Sequence, residues 1–405
     1  MKAWQFTTRW LLGSQVAARL LGLVNNILLA RLLAPASYGD FAQAMAFAGS
    51  LVPLADMGLS AVITRHIARR PRSRAVLSAS LGLRLAQSLL LLSAVTLSAW
   101  LLYGSPRLRV AVVLAGTYWS LACIGQLLAG VARARLQAHV EARAVILERT
   151  SAVLLAVAGA VWFGSAGALA GVIAGGVLAV AYLLRRLALP PMRVHRLLSL
   201  RLMAIGAPLM VADLCHGLIM RLDLLAVGMH YGAQHAGWYG SASTLLWAAV
   251  LVPGSMALAI VPAFASRRSE HAGQSSRVLG WMLAVSLLMA LTFSAGAKVW
   301  VGLLYGGEYA PAEAVLRVLA WCLVPASVVA WGNATLLVRH RTAWVGAVAT
   351  GGLACLAICL WWWLPGHGLL GAAWAQLVTQ CLMAFALWWL VGVSASTRYQ
   401  IETRT

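Results

Sequence analysis

Negative charge is scarce in this chain. Ten Asp and Glu stand among 405 residues, and charged residues of both signs make up only 10% of it. With 62% of residues hydrophobic, there is too little polar surface to cover the molecule in water, which excludes a soluble globular protein. A Gly-rich phosphate loop of the Walker type is missing, as are His-Glu-x-x-His and Gly-x-Ser-x-Gly, so the chain has no recognised route to ATP hydrolysis. Cysteine is sparse: Cys123, Cys215, Cys322, Cys355, Cys359 and Cys381 all lie in apolar runs without metal-ligand spacing and read as small hydrophobes. No cofactor is implied. Long polar segments are missing too, so neither membrane face is expected to carry a sizeable soluble domain. Near the outer face, only Asp40, Glu308 and Glu313 supply carboxylates, which disfavours a membrane ligase or polymerase that would need an acid or base on a substantial loop.

What is present is a series of apolar runs close to the length that spans a bilayer. Twelve are read, at 10–32, 41–64, 76–103, 110–132, 146–163, 167–184, 203–230, 239–265, 278–304, 314–338, 343–364 and 369–393. The expected fold is therefore an all-α polytopic membrane protein. The net charge of +21 would suggest nucleic acid in a soluble protein. Here most Lys and Arg fall at the termini and in alternate loops, which is an orientation signal placing both termini in the cytoplasm, and no nucleic-acid partner is expected. The densest basic runs, Arg65 to Arg74 and Arg185 to Arg201, suit contact with anionic lipid headgroups. The first span is long, carries Arg19 and is followed by others of its kind, so it reads as a retained helix rather than a signal peptide.

The chain repeats itself. Leu33-Ala34-Pro35-Ala36-Ser37-Tyr38-Gly39-Asp40-Phe41 closes the first span, and Tyr231-Gly232-Ala233-Gln234-His235-Ala236-Gly237-Trp238-Tyr239 closes the seventh, with Gly39 matching Gly237 and Phe41 matching Tyr239. Leu51-Val52-Pro53 is echoed by Leu251-Val252-Pro253, and Arg69-Arg70 by Arg267-Arg268. This gives two six-helix lobes related by a parallel internal repeat: 1–184, a basic linker at 185–202 containing Pro190-Pro191, 203–393, and a cytoplasmic tail at 394–405. The Gly167, Gly171 and Gly175 stripe on span six reads as close helix packing.

Charged and polar residues inside such spans are costly and mark function or pairing. On a helix starting near Trp10, Gln15, Arg19, Gly22 and Asn26 fall within about 60° of one another. Asp56, three residues after Pro53, and Arg84, flanked by Ser80, Gln87 and Ser88, are expected at the same depth as Arg19. Asp56 would neutralise one of these Arg. In the second half, Asp213, His216, Arg221 and Asp223 share span seven, and His216 and Asp223, seven residues apart, lie in line on a continuous helix and could relay a proton. Gln376 and Gln380 face one way on span twelve, and Trp361-Trp362-Trp363 and Trp388-Trp389 read as interfacial anchors.

The run Asn26-Ile27-Leu28-Leu29-Ala30-Arg31-Leu32-Leu33-Ala34-Pro35 with Tyr38-Gly39, then Ala55-Asp56-Met57-Gly58-Leu59 and the basic stretch to Arg70, resembles the polysaccharide-transport proteins, O-antigen flippases of the multidrug/oligosaccharidyl-lipid/polysaccharide flippase superfamily. The resemblance implies a V-shaped pair of lobes in the bacterial inner membrane, rocking to expose a cavity to either side. It also implies a polyprenyl-diphosphate-linked oligosaccharide as substrate, and membrane lipids, a polysaccharide polymerase and chain-length machinery as partners. On that reading Arg19, Arg84 and Arg221 hold the diphosphate, whose oxygens the guanidinium fork matches, and Gln15 and Asn26 line the path of the sugars. The alternative within the superfamily is a cation-coupled drug or metabolite exporter using Asp56, Asp223 or Asp213, with His216 as relay.

Overall fold

A computed structural model describes residues 2–69, 74–191, 196–265, 272–339 and 341–402. Arg70, Arg72, Arg193 and the Arg267-Arg268 pair lie outside these residues. Among the described residues there is no strand, and seven helices are long and apolar enough to cross a membrane. Contacts divide the chain into two compact units, Met1–Gly217 and Leu218–Thr405.

In the first unit, α1 (Lys2–Leu32) runs unbroken. Ala34 takes an extended conformation because Pro35 follows it, and Pro35, which has no N–H to leave unsatisfied, opens α2 (Pro35–Ser50). Span two is then interrupted twice. Pro53 removes a donor from the ladder, so α2 gives way to the short α3 (Val52–Asp56), and Met57 and Gly58 both turn left-handed at φ 46° and 67° before α4 (Leu59–Arg69). After α5 (Arg74–Leu102) and α6 (Pro106–Ala134) comes α7 (Ala138–Arg186), which is two spans in one. It reverses at Phe163-Gly164, with Gly164 at φ 61° and ψ −141°. The two arms pack backbone to backbone: a Cβ on Gly171 would overlap Leu155 and Ala156, and one on Gly175 would stand 2.8 Å from the Ala152 nitrogen. The glycine stripe read from the sequence is thus the seam of this hairpin. Leu59, Ile63, Leu127, Leu128 and Val131 form the buried core between α4 and α6. α8 (Arg196–Ile219) contributes most of its length to this unit.

The second unit continues from the end of α8 into α9 (Leu222–Tyr231), α10 (Ala233–Ala265), α11 (Ala272–Ala295), α12 (Ala297–Leu304), α13 (Ala312–Leu319), α14 (Leu323–Val338) and α15 (Thr342–Glu402). α15 is again a hairpin. It reverses at Gly368, at φ 59° and ψ −139°, where Gly371 meets the Trp363 carbonyl. Positions 164 and 368 therefore perform one turn with one backbone geometry, a repeat more exact in conformation than in sequence. Counting both hairpins twice, the α2–α4 series and the α8–α9, α11–α12 and α13–α14 pairs once each, and α1, α5, α6 and α10 singly, accounts for the twelve spans read from the sequence.

The repeat is not symmetric. The first unit breaks its second span and keeps its first whole, whereas in the later half span seven is broken, between Ile219 and Leu222, and α10 runs whole through Pro253. Asp56 holds the second break in span two, and α10 has no carboxylate with which to do the same. Trp361, Trp362, Trp388 and Trp389 are all well exposed, as anchors at a lipid interface would be.

Candidate functional site

Arg84 is the largest fully buried side chain of the first unit, 1% exposed. It pairs with Asp56 at the end of α3, and its second contact is Ser60 Oγ at 2.8 Å. The Ser60 hydroxyl in turn donates to Asp56 at 2.6 Å. The three side chains close a ring across the second break in span two, so the left-handed Met57-Gly58 turn is tied to α5. Arg84 Nε and Nη1, both side-chain atoms of Gln87 and the Ser88 hydroxyl are buried without a hydrogen-bond partner among the described residues. Asp56 retains 17% exposure and Arg84 almost none, so Arg84 serves its carboxylate partner before any substrate.

Arg19 differs. It lies exposed on α1, on the same edge as exposed Gln15, and Asn26 further along donates from Nδ2 to the Gly22 carbonyl at 2.8 Å. About 100° around the helix, Val16, Leu20 and Val24 are exposed as well. One arc of α1 thus carries a polar stripe beside an apolar one, the pattern of a helix bordering both a hydrated space and lipid. Thirteen residues separate Arg19 from the end of α1 at Leu32, about 20 Å along the helix, while the eighteen from Arg84 to Leu102 give about 27 Å.

A third intramembrane group was not singled out in the sequence. Tyr118 on α6 donates to Glu148 Oε1 at 3.2 Å, and Arg149 Nη2 stands 3.8 Å from the same carboxylate. Arg149 lies on the buried face of its α7 arm, in register with Ala152, Ala156 and Ala160, yet its side chain is 39% exposed. Fourteen residues before Phe163, it reaches about 21 Å, the level of Arg19. Counting back from the turn at Gly164 would have placed them in the bilayer.

In the second unit, Asp223 is 1% exposed in the first turn of α9. Its Oδ2 accepts from the Tyr239 hydroxyl at 2.7 Å and its Oδ1 from the Leu224 N–H at 2.7 Å. Anchored by its neighbour on α10 and favoured by the helix N-terminus, the carboxylate has no Lys or Arg pair among the described residues. Arg221 caps α9 and is half-buried. The in-line register of His216 and Asp223 required a continuous helix, and span seven is not continuous between them. α8 ends at Ile219 and α9 begins at Leu222, so the seven-residue spacing does not set the two on one face. His216 and Asp213 are exposed near the end of α8.

Comparison with known proteins follows the fold closely. An inward-facing multidrug resistance MATE family transporter of the MOP superfamily superposes with a TM-score of 0.77 at 14% identity, covering 95% of this chain and 96% of that one. The lipid II flippase MurJ, in an inward closed conformation, gives 0.76 at 13% identity over 94% and 86%. A MOP superfamily transporter from Pyrococcus furiosus gives 0.59 at 15% identity over 96% and 94%. These likenesses establish the fold. No curated protein sequence matches the chain. The family model described as polysaccharide biosynthesis protein matches residues 7–268, nearly two thirds of the length, and the chain, a multi-pass membrane protein with the MOP-superfamily fold, belongs to that family.

Proposed function

We propose that the chain is a flippase that carries a polyprenyl-diphosphate-linked oligosaccharide, an O-antigen or exopolysaccharide repeat unit, from the cytoplasmic to the periplasmic leaflet of a bacterial inner membrane by alternating access. The observation that carries this reading is the stripe on α1. Arg19 is an exposed cation at bilayer depth with no carboxylate paired to it among the described residues, set beside Gln15 and above Asn26, while Arg84 of the same unit is taken by Asp56. A diphosphate crossing a bilayer needs such a cation, and the neighbouring amides suit sugar hydroxyls. The apolar edge at Val16, Leu20 and Val24 would let the lipid tail stay in the membrane.

The mechanism requires two states between which the cavity changes face, biased by differential binding of the substrate. Coupling to a cation would fall to Asp223, because Asp56 is already neutralised by Arg84. Membership in a polysaccharide biosynthesis family supports flipping over drug export. Deleting the gene tests the reading. Surface polysaccharide should be lost and lipid-linked oligosaccharide should accumulate on the cytoplasmic face, with rescue by the wild type and not by Arg19→Gln. Normal surface polymer together with a gain in drug sensitivity would move the function to export.

A further inference from the structure

At one end of the second unit, a cavity of 310 Å³ opens between the end of α9, the start of α10, the loop before α13 and the reversal of α15. Its size falls at the lower end of small-ligand sites, which run from about 300 to 1,000 Å³. Tyr231, His235, Trp238 and His367 line it together with Pro311 and Gly368. The lining has no Lys, Arg, Asp or Glu, so the cavity suits a neutral ligand better than a phosphate. The loops that build it, around Gly232, 305–311 and 365–368, carry no Lys or Arg either, which assigns this end to the outer face by the charge rule.

The rim is fixed in advance. Trp238 Nε1 donates to the Glu308 carbonyl at 3.0 Å, and the Tyr231 hydroxyl donates to the Leu364 carbonyl at 2.7 Å, so three separate segments are pinned around the opening. The rings form a chain, with Tyr231 and His235 centroids 5.5 Å apart and His235 and Trp238 5.0 Å apart at 76°. His235 Nδ1 stands 2.9 Å from the Tyr231 carbonyl, which can only accept. That contact fixes the proton on Nδ1 and leaves Nε2 as an acceptor for a hydroxyl. His367, exposed beside the left-handed Gly368, adds a second imidazole. The repeat offers a control within the molecule. At the corresponding positions the first unit has Leu33, Ser37 and Asp40 in place of Tyr231, His235 and Trp238, and Phe163 in place of His367, so the fold alone does not demand these side chains.

We infer that this cavity binds one pyranose ring of the translocated glycan on the outer side, stacking it on the aromatic rim and accepting its hydroxyl protons at the imidazoles. The inference rests on the flippase reading and adds a release-side sugar site that the α1 stripe does not provide. It is tested with the full chain in lipid nanodiscs and single repeat units freed from the strain's own surface polysaccharide, observed by saturation-transfer NMR, with pyrophosphate as a second probe. The glycan should receive saturation from the wild type, and binding should weaken about tenfold in Trp238→Leu and in His367→Ala, the loss of one good contact. His367 lies at the exposed rim, so its variant keeps the test valid if Trp238→Leu misfolds. Saturation unchanged in His367→Ala, or none with the wild type, overturns the sugar site, and competition by pyrophosphate does the same. If deletion still abolishes surface polymer, the flippase reading survives that failure. Glycan saturation from a protein whose deletion leaves polymer normal would uphold the cavity and remove the flippase.

Discussion

Arg19 and Arg84 are alike in the sequence, each a lone cation in an apolar run, and the structure gives them opposite circumstances. Arg84 is closed into a ring with Asp56 and Ser60, and Arg19 is exposed. Removing one member of a buried pair strands the other, a loss of about 3–5 kcal/mol, whereas removing both at once costs much less. Arg84→Gln is therefore expected to lower thermal stability of the detergent-purified protein sharply, and the Arg84→Met/Asp56→Asn pair should recover part of it. Arg19→Gln should leave the melting temperature unchanged. A double variant no more stable than Arg84→Gln would show that the ring is not what Arg84 is for. The sequence showed which residues were charged at depth. It did not show which charge was already spent, because that depends on where Met57-Gly58 turns span two toward α5. Asp223 was legible as a buried carboxylate, but its partner Tyr239 was read only as a repeat landmark matching Phe41.

Among the elements, the hairpin of α7 was foreshadowed by Gly167, Gly171 and Gly175, since an i, i+4 stripe of glycines leaves room for nothing except a neighbouring backbone. The reversals themselves fall where the apolar runs were read to end, between 163 and 167 and between 364 and 369, but no flanking pattern marks Gly164 and Gly368 as the glycines that turn left-handed. Their matching φ and ψ emerge only in three dimensions. A Cβ at position 171 would overlap the Leu155–Ala156 backbone, which cannot move aside without parting the arms. Gly171→Ala should thus destabilise the protein by about 1–3 kcal/mol. Gly254→Ala, in the middle of α10 where nothing stands within 4 Å, should be neutral or stabilise by up to about 1 kcal/mol. Melting curves of the two variants side by side check both signs, and equal behaviour would contradict the tight-seam account. Broken helices were the harder part. Proline at 53 and at 253 looked equivalent, and only the first stands in an interrupted span, where Asp56, three residues on and bound by Arg84, has no counterpart after Pro253.

For the whole molecule, scarcity of charge and recurrence of apolar runs were enough to read an all-α, twelve-span protein built twice, and the family match over residues 7–268 contains the motif that carried the resemblance, at 26–70. The internal repeat supplies two units, but their chemistry differs: a neutralised carboxylate and an exposed Arg in the first, a Tyr-held carboxylate and an aromatic cavity in the second. Such division of labour suits a large substrate with a charged head and a neutral glycan better than a small symmetric one. The most direct test is translocation itself. Protein reconstituted into liposomes would be supplied with a polyprenyl-diphosphate oligosaccharide, and the fraction accessible to a membrane-impermeant glycosidase would be followed in time. Wild-type protein should move the glycolipid between leaflets, Arg19→Gln should slow it by at least about tenfold, about 1.4 kcal/mol in the barrier, and Arg84→Gln, in whatever fraction folds, should slow it less. Wild-type rates in Arg19→Gln, or no movement by the wild type, would contradict the central claim.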